Sequence, residues 1–320
     1  MKLITFILLG LASLNSLAAV TSVELDLFDR ERERPVKIRV WYQGTPDCTA
    51  KLCVRDHLAK GKIPIALISH GAFGSPREMN WLGYGMASQG WLAVGVAHYG
   101  ESWVYGRDTV DYSSMGKKWL RAQDLSFVLD EFLAQSLTEL PIDKEKITVL
   151  GHSVGGYSVL NMVGADYNFD TMLEYCKAAI ATDRGCRYGK SQAGEQKIAK
   201  GNDINVVDER VKAVVSLDPA LGPSVSKEAL TNIQVPTLIV GSVDNDFLNF
   251  SAHANYYASA IGGAELIALD DGEGHFVYID KCEHGHQAMG VSLCKDREGV
   301  DRTKVQNHLL AEITSFVSKL

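Results

Sequence analysis

Gly151-His152-Ser153-Val154-Gly155 sets a hydroxyl between two glycines, a spacing that suits nucleophilic chemistry. Glycines at those positions lack the Cβ that would clash in a sharp turn, so the serine can take strained backbone angles and lift its oxygen clear of the chain. Five positions with two wildcards recur by chance. Here the apolar run Ile147-Thr148-Val149-Leu150 precedes the pentapeptide and a helical pattern follows it, which predicts strand, turn and helix with Ser153 at the turn. A serine hydroxyl becomes an effective nucleophile when an imidazole takes its proton and a carboxylate orients that imidazole.

For a nucleophile on such a turn the partners follow in chain order, the acid and then the histidine, each in a loop at the carboxyl end of a strand. Of nine histidines, His253, His275, His284, His286 and His308 follow Ser153. His275 stands just past Leu266-Ile267-Ala268-Leu269, after the tight loop Asp270-Asp271-Gly272-Glu273-Gly274, where a base is required. His253 and His308 fall in helical patterns, where a surface or core role is simpler. His284 and His286 form an H-x-H between two cysteines, with no third ligand evident for a metal. Asp244, which follows Thr237 to Val243 one strand before the histidine strand, is the expected acid. Asp246 lies two residues on and could take the part if the loop bends differently. Asp218, in Ser216-Leu217-Asp218-Pro219-Ala220, is the alternative acid, although aspartate before proline is also a common turn former.

Acyl transfer also needs donors for the tetrahedral oxyanion, and losing one costs about 10²- to 10³-fold in rate. The N–H of Val154, directly after the nucleophile, is one candidate. The other is the N–H of Ala72, in His70-Gly71-Ala72-Phe73-Gly74 after the strand Ile63 to Ser69. His70 precedes the nucleophile in a different loop and is expected to support that loop rather than to act as the base.

These residues need a scaffold. Val23 to Leu27 and Val36 to Tyr42 read as an antiparallel hairpin, with the mixed-charge run Asp29 to Arg34 as a solvated turn. Strand and helix then alternate. Ile63–Ser69, Trp91–Ala97, Ile147–Leu150, Val211–Leu217, Pro236–Val240 and Leu266–Leu269 read as strands. Leu125, Val128, Leu129, Phe132 and Leu133 form one apolar stripe on a helix, and a last helix runs from about Val305 to Leu320. Continuous apolar strands alternating with helices imply a mostly parallel sheet covered on both faces. From about Ala165 to Glu209 the chain is polar, carries two cysteines and shows helical pieces such as Thr171 to Ala181. That is long for a crossover, so a small cap beside the site and a plain surface excursion are both open readings.

The chain has 320 residues, 46% of them hydrophobic and 22% charged, with net charge −7, so disorder is not indicated and nucleic acid is a poor partner. Lys2, the apolar stretch Leu3 to Leu11 and the small residues around Ala18 and Ala19 read as a secretory signal peptide over residues 1–18, leaving 19–320 as a single domain. No later run approaches the roughly 18 apolar residues of a membrane span. Export, to the periplasm or beyond the cell, permits disulfides. Six cysteines fall into local pairs, and sequential pairing of Cys48 with Cys53, Cys176 with Cys186 and Cys282 with Cys294 is expected ahead of zinc, which favours closer spacing.

Along nearly its whole mature length the chain resembles the bacterial predicted dienelactone hydrolases. The resemblance rests on Ser69-His70-Gly71, Trp91 to Gly100, Arg121 to Asp130, Gly151-His152-Ser153, Leu217-Asp218-Pro219-Ala220 and Gly274-His275-Phe276. Those proteins are similar to plasma-type platelet-activating-factor acetylhydrolases and, more distantly, to cutinase-like polyesterases. The resemblance implies an α/β-hydrolase fold and cofactor-free serine chemistry on carboxylic esters, with Ser153, His275, Ala72 and Val154 at the nucleophile, base and oxyanion positions. The acetylhydrolase pattern points to Asp218 as the acid, the cutinase-like pattern to Asp244. Dienelactone hydrolases proper use a cysteine nucleophile, so the serine argues against that substrate.

The sequence thus describes an exported serine esterase or short-chain lipase, without metal or organic cofactor, acting on a small-molecule or lipid ester as a monomer or small homo-oligomer. Specificity is expected in the 165–209 insertion, in Phe73, and in the stretch Tyr99 to Tyr105, where Trp103 and Tyr105 could face an apolar acyl or aryl group or simply pack. An amidase, peptidase or acyltransferase could use the same triad. A non-catalytic binding protein on this scaffold is the third reading.

Overall fold

The sheet is built from the apolar runs read above. The computed structural model describes residues 19–45, 51–55, 61–187, 204–283 and 285–320. Residues 1–18, read above as a signal peptide, Cys48 and His284 therefore lie outside the described residues. Strands β1 (Val20–Asp29) and β2 (Arg34–Thr45) pair antiparallel as a hairpin, with Val23 opposite Val40. β3 (Cys53–Val54) adds to the end of β2. The remaining large strands are β4 (Ile63–Ser69), β5 (Leu92–Ala97), β6 (Ile142–His152), β7 (Ala213–Leu217), β8 (Thr237–Ser242) and β9 (Glu265–Leu269). Across the sheet the order is β1-β2-β5-β4-β6-β7-β8-β9, and every pair from β5 onward is parallel. β4, β5, β7 and β8 are buried at every position, as strands covered on both faces must be.

Helices α1 (Asn80–Ser88), α2 (Trp119–Leu133), α3 (Val154–Asn161), α4 (Phe169–Ala179), α5 (Lys227–Thr231), α6 (Ala254–Ala260) and α7 (Arg302–Ser318) follow in chain order. On one face α2, α3 and α6 pack Leu125, Val128, Leu129, Tyr157 and Tyr257 against the sheet. On the other, α1 and α7 contribute Leu82, Met86, Leu309, Ile313 and Phe316. Leu125, Val128, Leu129 and Phe132 of the stripe read on α2 are buried as expected and Leu133 is partly buried, and truncating Leu125 or Leu129 to alanine would cost about 2–5 kcal/mol. Helix α7 starts three residues earlier than the periodicity suggests, because the Asp301 carboxylate accepts from the N–H groups of Thr303 and Lys304.

The charged turn between β1 and β2 departs from its expected solvated character. Arg32 and Arg34 both donate to the fully buried carboxylate of Asp124 on α2, at 2.9 Å and at 2.7 and 2.9 Å. Those bonds lock the hairpin onto the domain, through residues some 90 positions apart in sequence. Two further short strands, β10 (Gln287–Ala288) and β11 (Val291–Ser292), pair within the loop closed by Cys282–Cys294.

Candidate active site

β6 is the central strand that delivers the nucleophile. It ends at His152; Ser153 turns the chain at φ 58°, ψ −121°; and α3 begins at Val154. A serine in that region of backbone space is strained, and surrounding contacts must hold it there. They do. The Ser153 N–H donates to the Leu217 carbonyl and its carbonyl accepts from the Ala220 N–H, each at 3.0 Å, so the turn after β7 clasps the elbow from both sides. A Cβ at Gly155 would run into the Ser69 and His70 carbonyls, and one at Gly151 into the Gly155 carbonyl. The pattern needs its glycines because the elbow presses against the end of β4.

His275 arrives from the loop after β9. Its Nε2 accepts from Ser153 Oγ at 2.9 Å, and its Nδ1–H donates to Asp218 Oδ2 at 2.5 Å. All three side chains are buried. The acid is therefore Asp218, correcting the expectation of Asp244. β7 lies between β6 and β8, so the turn that clasps Ser153 also carries its carboxylate under the imidazole. Asp244 is exposed, and its carbonyl accepts from Arg297 at 2.6 Å. The segment after β8 still serves the triad. Asn245 Nδ2 donates to Asp218 Oδ2 at 2.5 Å, and the Asp246 carboxylate accepts from the His275 N–H at 3.0 Å. The Phe247 ring stacks on the His275 ring at 5.0 Å, 12° from parallel.

His152, a wildcard position of the pentapeptide, holds the base. Its Nε2–H donates to the His275 carbonyl at 2.9 Å, and its ring lies 4.7 Å from that of His275. Burial, reinforced by the neighbouring His275, drives its pKa well below the usual imidazole range, so it stays neutral.

The loop after β4 rests on a buried polar network. Arg121 on α2 donates to the His70 carbonyl at 2.7 Å and to the Gly71 carbonyl at 3.3 Å, and pairs with Glu101 at 2.7 Å. His70 Nδ1–H donates to the Gly71 carbonyl at 2.7 Å, while its Nε2 accepts from the His98 N–H at 3.3 Å. His98 in turn bridges Ser69 Oγ at 2.9 Å and Asp124 at 3.0 Å. Burial lowers the His98 pKa to about 4, with Arg121 adding to the effect against the opposing pull of Asp124. Neutral His70 thus supports the loop, the part read for it from the sequence. Ala72 and Val154 meet at the cavity over Ser153, and the Val154 N–H, at the first position of α3, has no intrahelical acceptor.

That cavity has a volume of about 530 Å³. Its floor includes Val154, Ala220, Phe247 and Leu248, which form an apolar cluster with buried Val291, and Ala72 and Phe276 pack alongside. Phe169, Met172, Leu173 and Ile180 of the 165–209 insertion form one wall, and Ala288, Met289 and Leu293 of the Cys282–Cys294 loop another. Arg184 ties the two walls together through the Met289 carbonyl at 2.7 Å. The insertion is fixed to the domain by Asp183, fully buried, which accepts from His253 Nε2 at 2.8 Å and from the Tyr175 hydroxyl at 3.0 Å.

No protein-family model matches the chain, and no curated protein matches its sequence. Among solved structures it is similar to a ferulic acid esterase from Streptomyces cinnamoneus, at 16% identity and a TM-score of 0.59, covering 96% of this chain and 92% of that one. With the sheet order and the elbow this settles the architecture. The chain has the α/β-hydrolase fold.

Within this α/β-hydrolase the other expected residues part company. Phe73 lines the cavity and packs on Tyr112 at 5.4 Å. Trp103 and Tyr105 do not line it. Trp103 is 44% exposed and donates through Nε1 to Glu78 at 3.3 Å. The Tyr105 hydroxyl accepts from the Lys37 N–H at 2.6 Å and donates to the Ala97 carbonyl at 3.0 Å, so it is a fastener between β2 and β5. Disulfides Cys176–Cys186 and Cys282–Cys294 are formed as expected, and both brace cavity walls. The pairing of Cys53 with Cys48 falls outside the described residues. His308 is exposed on α7, and His253 is the cap tether rather than a base. Among the described residues no group of three or more His, Cys, Asp or Glu could hold a metal, and no helix is long and apolar enough to cross a membrane. Sequence reasoning missed His152, Asn245 and Arg121, and it weighed Asp246 as an acid where the structure has it hold the His275 backbone; of the three missed, only Arg121 carried a signal, as a charged residue four positions before Leu125 on the buried side of α2.

Proposed function

We propose that this hydrolase cleaves carboxylic esters with an apolar acyl or aryl portion through an acyl-enzyme. The observation that carries the reading is the Ser153–His275–Asp218 chain of hydrogen bonds opening into an apolar cavity. Ser153 Oγ attacks the ester carbonyl as its proton passes to His275 Nε2, and Asp218 stabilises the imidazolium formed. The N–H groups of Ala72 and Val154 take the oxyanion. The imidazolium then protonates the leaving alcohol, and water, deprotonated by the same histidine, releases the acid and restores Ser153.

The acid at Asp218 is the placement implied by the acetylhydrolase-like resemblance, which supports kinship with that group. The solved structure it resembles is described as an esterase, an analogy of fold and not of site. Two disulfides fit export to an oxidising compartment, periplasmic or extracellular.

The test is turnover of 4-nitrophenyl butyrate beside its anilide analogue, with and without an acceptor alcohol, together with labelling by a fluorophosphonate. Ester turnover and labelling that both vanish in Ser153→Ala are expected. Faster anilide cleavage would point to an amidase, and net transfer to the alcohol to an acyltransferase. A folded protein that neither turns over nor labels would make the scaffold non-catalytic.

A further inference from the structure

The cavity holds a cation that the fold does not spend on itself. Lys118, at the N-cap of α2, is 7% exposed and lines the cavity beside Gly116, Tyr167 and Phe169. Among the described residues its ammonium has no hydrogen-bond acceptor and no carboxylate within ion-pair distance; its one direct partner is the Tyr167 ring, 6.0 Å from Nζ. The acid whose charge acts on it is Glu101, whose Oε2 is already bonded twice by Arg121, at 3.1 and 2.7 Å. Glu78, which does line the cavity, is bonded to Trp103, and Lys177 at the rim is paired with Glu174 at 2.6 Å. Burial lowers the Lys118 pKa to about 8, against the attraction of Glu101, so the side chain is still largely charged at neutral pH. A buried ammonium without an anion is costly, and a fold that needed only packing here could use methionine.

Lys118 lies one turn before Arg121, which grips the His70 and Gly71 carbonyls, so this end of α2 abuts the oxyanion loop. An anion on Lys118 therefore shares one cavity with an ester on Ser153. A single cation in apolar surroundings also selects for a single negative charge, since a dianion would leave one charge uncompensated.

We propose that Lys118 determines specificity by binding one negative charge on the substrate, a carboxylate or a phosphodiester, alongside the scissile ester. The assignment rests on the esterase reading and narrows it to esters with an ionised end.

The experiment compares kcat/KM for mono-(4-nitrophenyl) adipate, for 4-nitrophenyl hexanoate carrying a terminal methyl phosphodiester, and for uncharged 4-nitrophenyl hexanoate. In the wild type at least one charged ester should exceed the neutral one, and which of the two does so identifies the anion. In Lys118→Met that charged-to-neutral ratio should fall about 10- to 100-fold, as expected for a charge-assisted hydrogen bond, and Lys118→Arg should keep most of it. A wild-type ratio at or below one for both charged esters overturns the proposal, as does an unchanged ratio in Lys118→Met. Should Lys118→Met not fold, the wild-type ratios and competitive inhibition by the monoanion hexanoate against neutral hexanamide decide alone. The esterase reading fails separately, if neither neutral nor charged esters turn over and the fluorophosphonate does not label Ser153.

Discussion

The carboxylate of Asp218 meets Nδ1 of His275 at 2.5 Å from a turn whose backbone also clasps Ser153. Orienting the base and straining the nucleophile are therefore tasks of one β7 turn. Asp218→Asn should lower kcat on 4-nitrophenyl butyrate by about 10⁴-fold, since the amide favours the wrong tautomer of the histidine. Asp244→Asn should stay near wild type. Steady-state kinetics on both folded variants check this, and the opposite pattern would return the acid to Asp244.

His152→Phe tests the contact behind the base. The replacement keeps an aromatic ring but loses the bond to the His275 carbonyl. A base displaced by a fraction of an ångström should lower kcat by about tenfold or more, with little change in KM. Equal losses in both parameters would mean a general disturbance of the cavity.

Acid stability should report His98. Its folded pKa of about 4 lies below the value of about 6.5 in an unfolded chain. Above pH 6.5 both states are neutral and the full stability is present; as pH falls toward 4 the unfolded chain takes up the proton first and stability declines. The buried carboxylates of Asp124 and Glu101, both lowered to about 2, extend the loss below pH 4. Thermal midpoints from pH 8 to 4 should fall, and His98→Gln should flatten the segment between 6.5 and 4.

Glu78 works in the other direction. Burial raises its carboxyl to about 7, so it favours the folded state while protonated, and that advantage fades as pH rises from about 4.5 through 7. Glu78→Gln should leave the thermal midpoint unchanged at pH 4 and raise it at pH 8. An equal shift at both pH values would show that ionisation is not the cause.

The strands, Ser153 and His275 were legible because each leaves a local pattern: an apolar run, two glycines around a serine, a histidine in a tight loop after a strand. The acid was not. Asp218 and Asp244 both follow buried strands, and the choice rests on backbone geometry, with Asp218 at φ 45°. Arg121 to His70 and Arg32 to Asp124 join positions far apart in sequence, and no spacing rule announces such a bond. Tyr105 misled for a related reason. An aromatic near a candidate site looks like a substrate contact until its hydroxyl is seen fastening two strands.

The positive φ at Ser153 carries a consequence for the history of the chain. Only glycine adopts such angles freely, and any other residue gives up about 1–3 kcal/mol to stand there. Ser153→Gly should therefore yield an inert protein that melts later than the wild type. Robustness and reactivity are opposed at this one residue, so drift toward durability alone would erase the nucleophile first.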